Sequence, residues 1–135
     1  MKVGMAAAAA IIGVAAMTGA RADTAQDMGA GAMNRSLPYN FQGGEAVFKN
    51  ICQGCHMANA QGAVGAGMYP ALAKDDKLET AGYPVAVVTH GQKAMPAFGP
   101  LMSDQQIADV VNYVRGNFGN KYKDKVTAAD VKAQR

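Results

Sequence analysis

Residues 50–59 read "NICQGCHMAN" and hold both cysteines of the 135-residue chain, Cys52 and Cys55, with one of its two histidines, His56, directly behind them. Three chemistries use two thiols at this spacing. A redox disulfide is expected at the start of a helix that follows a strand. Here the pair comes instead at the end of a helical stripe formed by Val47, Phe48 and Ile51. A structural zinc ion needs four ligands. Beyond the cysteines the nitrogen donors are His56 and His90, and His56 stands too close to Cys55 to close on the same ion. The third chemistry is covalent haem, for which Cys-x-x-Cys-His is the attachment pattern. The thiols add to two vinyl groups and pin the macrocycle, and the next residue projects its imidazole under the iron.

Attachment of that kind happens outside the cytoplasm, so the chain should carry an export address. Residues 1–22 read as one. Lys2 supplies the positive charge, an uncharged apolar stretch runs to Arg21, and Ala20-Arg21-Ala22 offers a cleavage site after Ala22. The competing reading is an uncleaved anchor, but the stretch is only marginally long enough to span and alanine is a weak membrane former. No other segment approaches a membrane span. The whole chain has 13 basic and 10 acidic residues, and loss of Lys2 and Arg21 brings the mature chain close to neutrality. That balance excludes a polybasic nucleic-acid binder.

Residues 23–42 are rich in Gly, Asn, Pro and Ser and read as an irregular arm, docked in part through Tyr39 and Phe41. A helix is expected from Glu45 to about Cys52, with Gly44 on the Phe48 face where it permits a close helix crossing. "ANAQGAVGAG", residues 58–67, reads as a loop whose small side chains let backbone lie against a large flat object. Pro84 suits the first turn of a helix that runs to about His90 and stops at Gly91. The clearest helix starts at Ser103, with Gln106 completing a capping box. Its apolar stripe is Ile107, Val110, Val111, Val114 and Phe118, bordered by Tyr113, and Gly116 or Gly119 ends it. Residues 121–135 read as a charged, solvated tail, with a short fraying helix as the alternative. No segment reads as a sheet. The expected fold is all-α, with four or so short helices joined by loops too long for a compact bundle unless they wrap something.

"GGEAVFKNICQGCH", "MYPALAK" and "AMPAFGPLMSDQQIADVVNYVRGNFGN" together resemble a class I c-type cytochrome over residues 43–120. The likeness is greatest to the small cytochrome subunits and partners of periplasmic flavoprotein or quinoprotein dehydrogenases, such as the cytochrome subunit of p-cresol methylhydroxylase. The resemblance implies the class I cytochrome c fold around one haem c, attached through Cys52 and Cys55. It implies His56 as one iron ligand and Met95, in a Met-Pro pair before the last helix, as the other. It further implies that the Pro70 carbonyl accepts a hydrogen bond from the His56 ring and that Leu72 packs on the haem. A proline after Met95 gives the rigid loop that a weak thioether ligand requires. Six methionines follow residue 22, namely 28, 33, 57, 68, 95 and 102. Met57 is too near His56 to reach the opposite face, Met68 lies in the wrong part of the chain, and Met102 is the main competitor. His90 could give a bis-histidine iron but reads as a helix-end histidine near carbonyls.

Iron held by His56 and Met95 has no free site for substrate. The expected function is therefore a monohaem periplasmic electron carrier and not an enzyme. Its donor would be a periplasmic dehydrogenase with a flavin or quinone cofactor, and its acceptor a terminal oxidase or another cytochrome. No nucleic acid and no membrane span in the mature chain are expected. Docking would centre on the haem edge near the 62–67 loop and the Met95 loop, with Lys93 either steering an acidic partner or simply solvated. Two other classes stand beside this one: a permanent subunit of one dehydrogenase complex, and a ligand-binding or peroxidatic haem protein with a labile Met95.

Overall fold

The computed structural model describes residues 39–65 and 67–135; the export segment, most of the arm, Met28 and Met33 lie outside them. The first helical segment is longer than expected. It begins as α1 (Gly44–Val47), passes through a π turn (Phe48–Cys52) and ends as α2 (Gln53–His56). An α-helix advances about 100° per residue, so the residue added by a π turn rotates everything after it by more than a quarter of a turn. The rotation brings His56 onto the buried side with Phe48, at 8% and 1% exposure.

The last expected helix, α4 (Asp104–Gly116), crosses this segment. A Cβ on Gly44 would lie 2.1 Å from the Asp109 carbonyl oxygen and 2.6 Å from the Tyr113 Cβ, so the crossing requires glycine. Phe48 fills the angle between the helices, its ring 5.7 Å from that of Tyr113 and 4.8 Å from that of Phe118. Val47, Ile107, Val110, Val111 and Val114 complete the core, as the stripe in the sequence requires. The Ser103–Gln106 capping box forms in both directions. Gln106 does more: its amide nitrogen donates to the carbonyls of Tyr39 (2.8 Å) and Phe41 (2.9 Å), which docks the end of the arm.

Between the crossed helices lie α3 (Gly82–His90), which stops at Gly91 with φ 76° as expected, and a 3-10 turn (Asp76–Leu78). Two short strands, β1 (Ala63–Val64) and β2 (Met68–Tyr69), pair antiparallel with Ala63 opposite Tyr69. Strands of two residues are too short to leave an alternating pattern, so this hairpin reads as loop in the sequence.

The expectation of a solvated tail fails. Residues 121–135 pack along α4 and end in α5 (Ala128–Lys132), which has its own capping box between Thr127 and Asp130. Val126 and Val131 are buried. Asn112 of α4 exchanges two hydrogen bonds with the Val126 main chain, at 2.8 and 2.9 Å. Arg115, only 1% exposed, donates to the carbonyls of Leu78, Glu79 and Asp124 and to both carboxylate oxygens of Asp124. One buried guanidinium thus ties the tail to the 3-10 turn, and its charge is met at every donor that points inward.

Candidate functional site

The two thiols end the first helical segment. Cys52 is half-buried and Cys55 exposed, and they are not joined by a disulfide. Burial, with Cys55 adding to it, pushes the Cys52 thiol up to about 12. A redox or metal-binding pair needs the opposite shift, toward the thiolate. Among the described residues no group of three or more His, Cys, Asp or Glu could hold a metal ion.

His56 follows in the last helical turn. Its Nδ1 donates to the Pro70 carbonyl at 2.9 Å, which orients the ring and leaves Nε2 with no hydrogen-bond partner among the described residues. The intervening loop is folded so that this contact can form. Gly62 N donates to the His56 carbonyl, and the Ala60 carbonyl accepts from both Leu72 and Ala73. Gly62 has φ +67°, and a Cβ there would stand 2.1 Å from the Tyr69 carbonyl oxygen. Met57 and Ala60 adopt left-handed backbone, at φ 66° and 58°, a conformation that costs a non-glycine residue free energy and clusters at functional sites. Leu72 is half-buried against the core. The hairpin tip turns apolar side chains outward, with Val64 88%, Met68 78% and Tyr69 39% exposed.

Met95 comes from a separate loop. It is half-buried, and its main chain exchanges two hydrogen bonds with Gln92, at 2.9 and 3.0 Å. Gly91 at φ +76° is needed there, because a Cβ would lie 2.7 Å from the Met95 carbonyl oxygen. Beyond Pro96, Phe98 N and Gly99 N donate to the Val88 and Thr89 carbonyls of α3. The other methionine candidates fall elsewhere: Met102 is 1% exposed within the core, and Met68 stands out in solvent. His90 is exposed, and its Nε2 donates at 2.6 Å to the carbonyl of Gln134, not to a carbonyl of its own helix. Lys93 is exposed with φ 54°. The structure thus joins His56 to Pro70, places Leu72 against the core and presents Met95 on a loop of its own.

These residues fit a haem. The donor set offers an oriented imidazole with a free nitrogen, two thiols one helical turn apart and a thioether on a pinned loop. Ile51, Leu72 and Phe98 are half-buried against the core and keep part of their apolar surface uncovered. The buried Thr89 hydroxyl lacks a hydrogen-bond partner, a sign of a polar contact that the polypeptide alone does not provide.

The family model described as cytochrome c oxidase, cbb3-type, subunit III, matches residues 40–114. The chain is 37% identical over 101 residues to the cytochrome c subunit of the quinone alcohol dehydrogenase of Gluconacetobacter polyoxogenes, covering 65% of this chain and 21% of that subunit. It is 58% identical over 41 residues to the gluconate 2-dehydrogenase cytochrome c subunit of Pantoea cypripedii, covering 30% of this chain and 9% of that protein. Cytochrome c6 of Bumilleriopsis filiformis is 38% identical over 80 residues, covering 56% of this chain and 88% of the cytochrome. The chain thus spans 21% and 9% of the two dehydrogenase subunits and most of the cytochrome c6.

Proposed function

The chain belongs to this family of c-type cytochromes, and on that footing we propose how its own residues hold the haem and whom it serves. A protein of this kind is an electron carrier and not itself an enzyme; its haem c, once attached, takes up and gives back one electron at a time. Cys52 and Cys55 would hold the haem through two thioethers, and His56 would ligate its iron through Nε2. Pro70 accepts from Nδ1, which fixes the ring and raises its basicity. Leu72 packs beside it. Met95 would supply the other iron ligand, a soft sulfur that would favour the reduced iron and raise the potential. The observation that carries the reading is the 2.9 Å hydrogen bond from His56 to Pro70, because it leaves the imidazole aimed and its other nitrogen free.

The partner is a dehydrogenase with a quinone or flavin cofactor, and the acceptor a terminal oxidase or another cytochrome, in the periplasm after removal of residues 1–22. The names of the relatives support the donor. Among the described residues no helix is long and apolar enough to cross a membrane. The uncharged hairpin tip with Val64, Met68 and Tyr69 suits a small, transient redox contact. The subunit character of the dehydrogenase relatives favours a second reading, a permanent place in one complex. A carrier purifies alone, whereas a subunit co-purifies with its dehydrogenase.

An optical spectrum of the exported protein tests the assignment. A sharp reduced α-band with a weak oxidised band near about 695 nm is expected for histidine–methionine ligation. Met95→Ala should abolish the weak band, and Met102→Ala should leave it in place. A haem protein whose weak band survives Met95→Ala refutes the ligand assignment.

A further inference from the structure

We infer that Gln134 and Arg135 position the Met95 loop by gripping it at both ends, an inference that rests on Met95 as the iron ligand. The loop leaves α3 at His90 and rejoins the core at Met102. At its start, His90 Nε2 donates to the Gln134 carbonyl at 2.6 Å. At its end, Arg135 donates through Nη1 to the Gly99 carbonyl at 2.6 Å and through Nη2 to the Met102 carbonyl at 2.8 Å, while Nε pairs with the Asp104 carboxylate. Two consecutive residues therefore bracket the segment that carries Met95.

The bracket is a close fit. A Cβ on Gly99 would meet the Thr89 carbonyl oxygen at 2.7 Å and Arg135 Nη1 at 3.2 Å, so the loop exit is held between the end of α3 and the guanidinium. The loop's own bonds to α3 use the amides of Phe98 and Gly99. Arg135 adds the carbonyl side of the same strand, with three donors of one planar fork on three acceptors, which lysine cannot reproduce. The tail has the stiffness to act this way, because Arg115, Asn112 and the buried Val131 fix it to the core before it reaches the loop. Residues 134 and 135 lie beyond the 40–114 family match. A thioether is a weak ligand, so small changes in how firmly its loop is held should register at the iron.

The test compares the exported ferric holoprotein with Arg135→Ala, Arg135→Lys and Asn112→Ala. Asn112→Ala loosens the tail where it meets α4, away from the loop. The weak band near about 695 nm and far-UV circular dichroism are followed together in urea, and cyanide is added to measure how fast it displaces the methionine. In Arg135→Ala the band should vanish at lower urea than the helices melt, and cyanide should bind about tenfold faster, the signature of local opening. Arg135→Lys should recover part of both. In Asn112→Ala, which frees the tail ahead of Arg135, the band should also vanish before the helices melt, by a smaller margin than in Arg135→Ala. If Arg135→Ala also melts as one unit, with an unchanged cyanide rate, Arg135 is merely structural and the inference is overturned. A wild-type protein that lacks the band overturns the Met95 assignment, and the positioning role with it.

Discussion

The segment that carries His56 and the loop that carries Met95 are held by different means. His56 ends a helical run whose other side is Phe48 and Val47, packed on α4 through the glycine crossing at Gly44. It is 8% exposed, and moving it means disturbing the core. Met95 is half-buried on a loop fixed by main-chain bonds to Gln92 and α3, and by side chains from the tail. Apolar burial is non-directional and shared among many residues, so it fails all at once. A few hydrogen bonds can open locally while the rest of the fold stands. One candidate ligand is thus coupled to global stability and the other to local opening.

The sharpest way to break this contrast is Phe48→Ala. Deleting a buried aromatic ring costs about 3–5 kcal/mol. Urea unfolding should show a loss of that size, and both the haem spectrum and the helices should collapse in one transition. A ligand change at the Met95 side that precedes helix melting in this variant would show that the two regions are not divided as described.

Ser103→Ala comes next. It removes the side-chain half of the capping box at the start of α4, worth about 0.5–2 kcal/mol, and leaves Gln106 on the Tyr39 and Phe41 carbonyls. This is also where the Met95 loop rejoins the core, beside the Met102 and Asp104 partners of Arg135. The expected loss of stability is modest and global, read as a lower urea midpoint with an unchanged slope. A loss larger than that of Phe48→Ala would place the weight of the fold at the loop exit and not at the helix crossing.

What the sequence disclosed follows the same division. The α4 helix was legible because capping residues, apolar stripe and terminal glycine all agree, and α3 because Pro84 and Gly91 mark its ends. The helix before the cysteines read as ending four residues early, since a π turn has no sequence signature and shifts the helical period by one residue. Cys52, Cys55 and His56 declare themselves by spacing alone. Pro70 contributes a main-chain carbonyl, which any residue carries, so only the likeness to known cytochromes pointed to it. The tail misled because Lys121, Lys123 and Lys125 alternate with the side chains that pack, and because a buried arginine looks like any other charge in a sequence. The Thr127–Asp130 capping box was the available signal for α5. Nothing in the order of residues announces that Arg135 returns to Gly99, since partners 36 positions apart are joined only by the fold.

The smallest expected effect concerns acid. The Arg115 guanidinium hydrogen-bonded to Asp124 holds that carboxyl below its ordinary value of 3.8. A depressed folded-state pKa means the ion pair stabilises the fold fully above the unfolded value and loses that contribution as pH falls through the lower folded value. The stabilisation is screened, because the Asp124 side chain is 66% exposed, while Arg115 keeps the carbonyls of Leu78, Glu79 and Asp124 whatever the carboxyl does. Asp124→Asn should therefore be slightly less stable than wild type near neutral pH, with the gap in urea midpoint closing as the pH drops below the ordinary carboxylate value. Because the pair anchors the tail ahead of Arg135, the gap should be wider for the weak methionine–iron band than for helix melting. An equal gap in both signals would mean that Asp124 serves the core alone and that the tail reaches the Met95 loop independently of it.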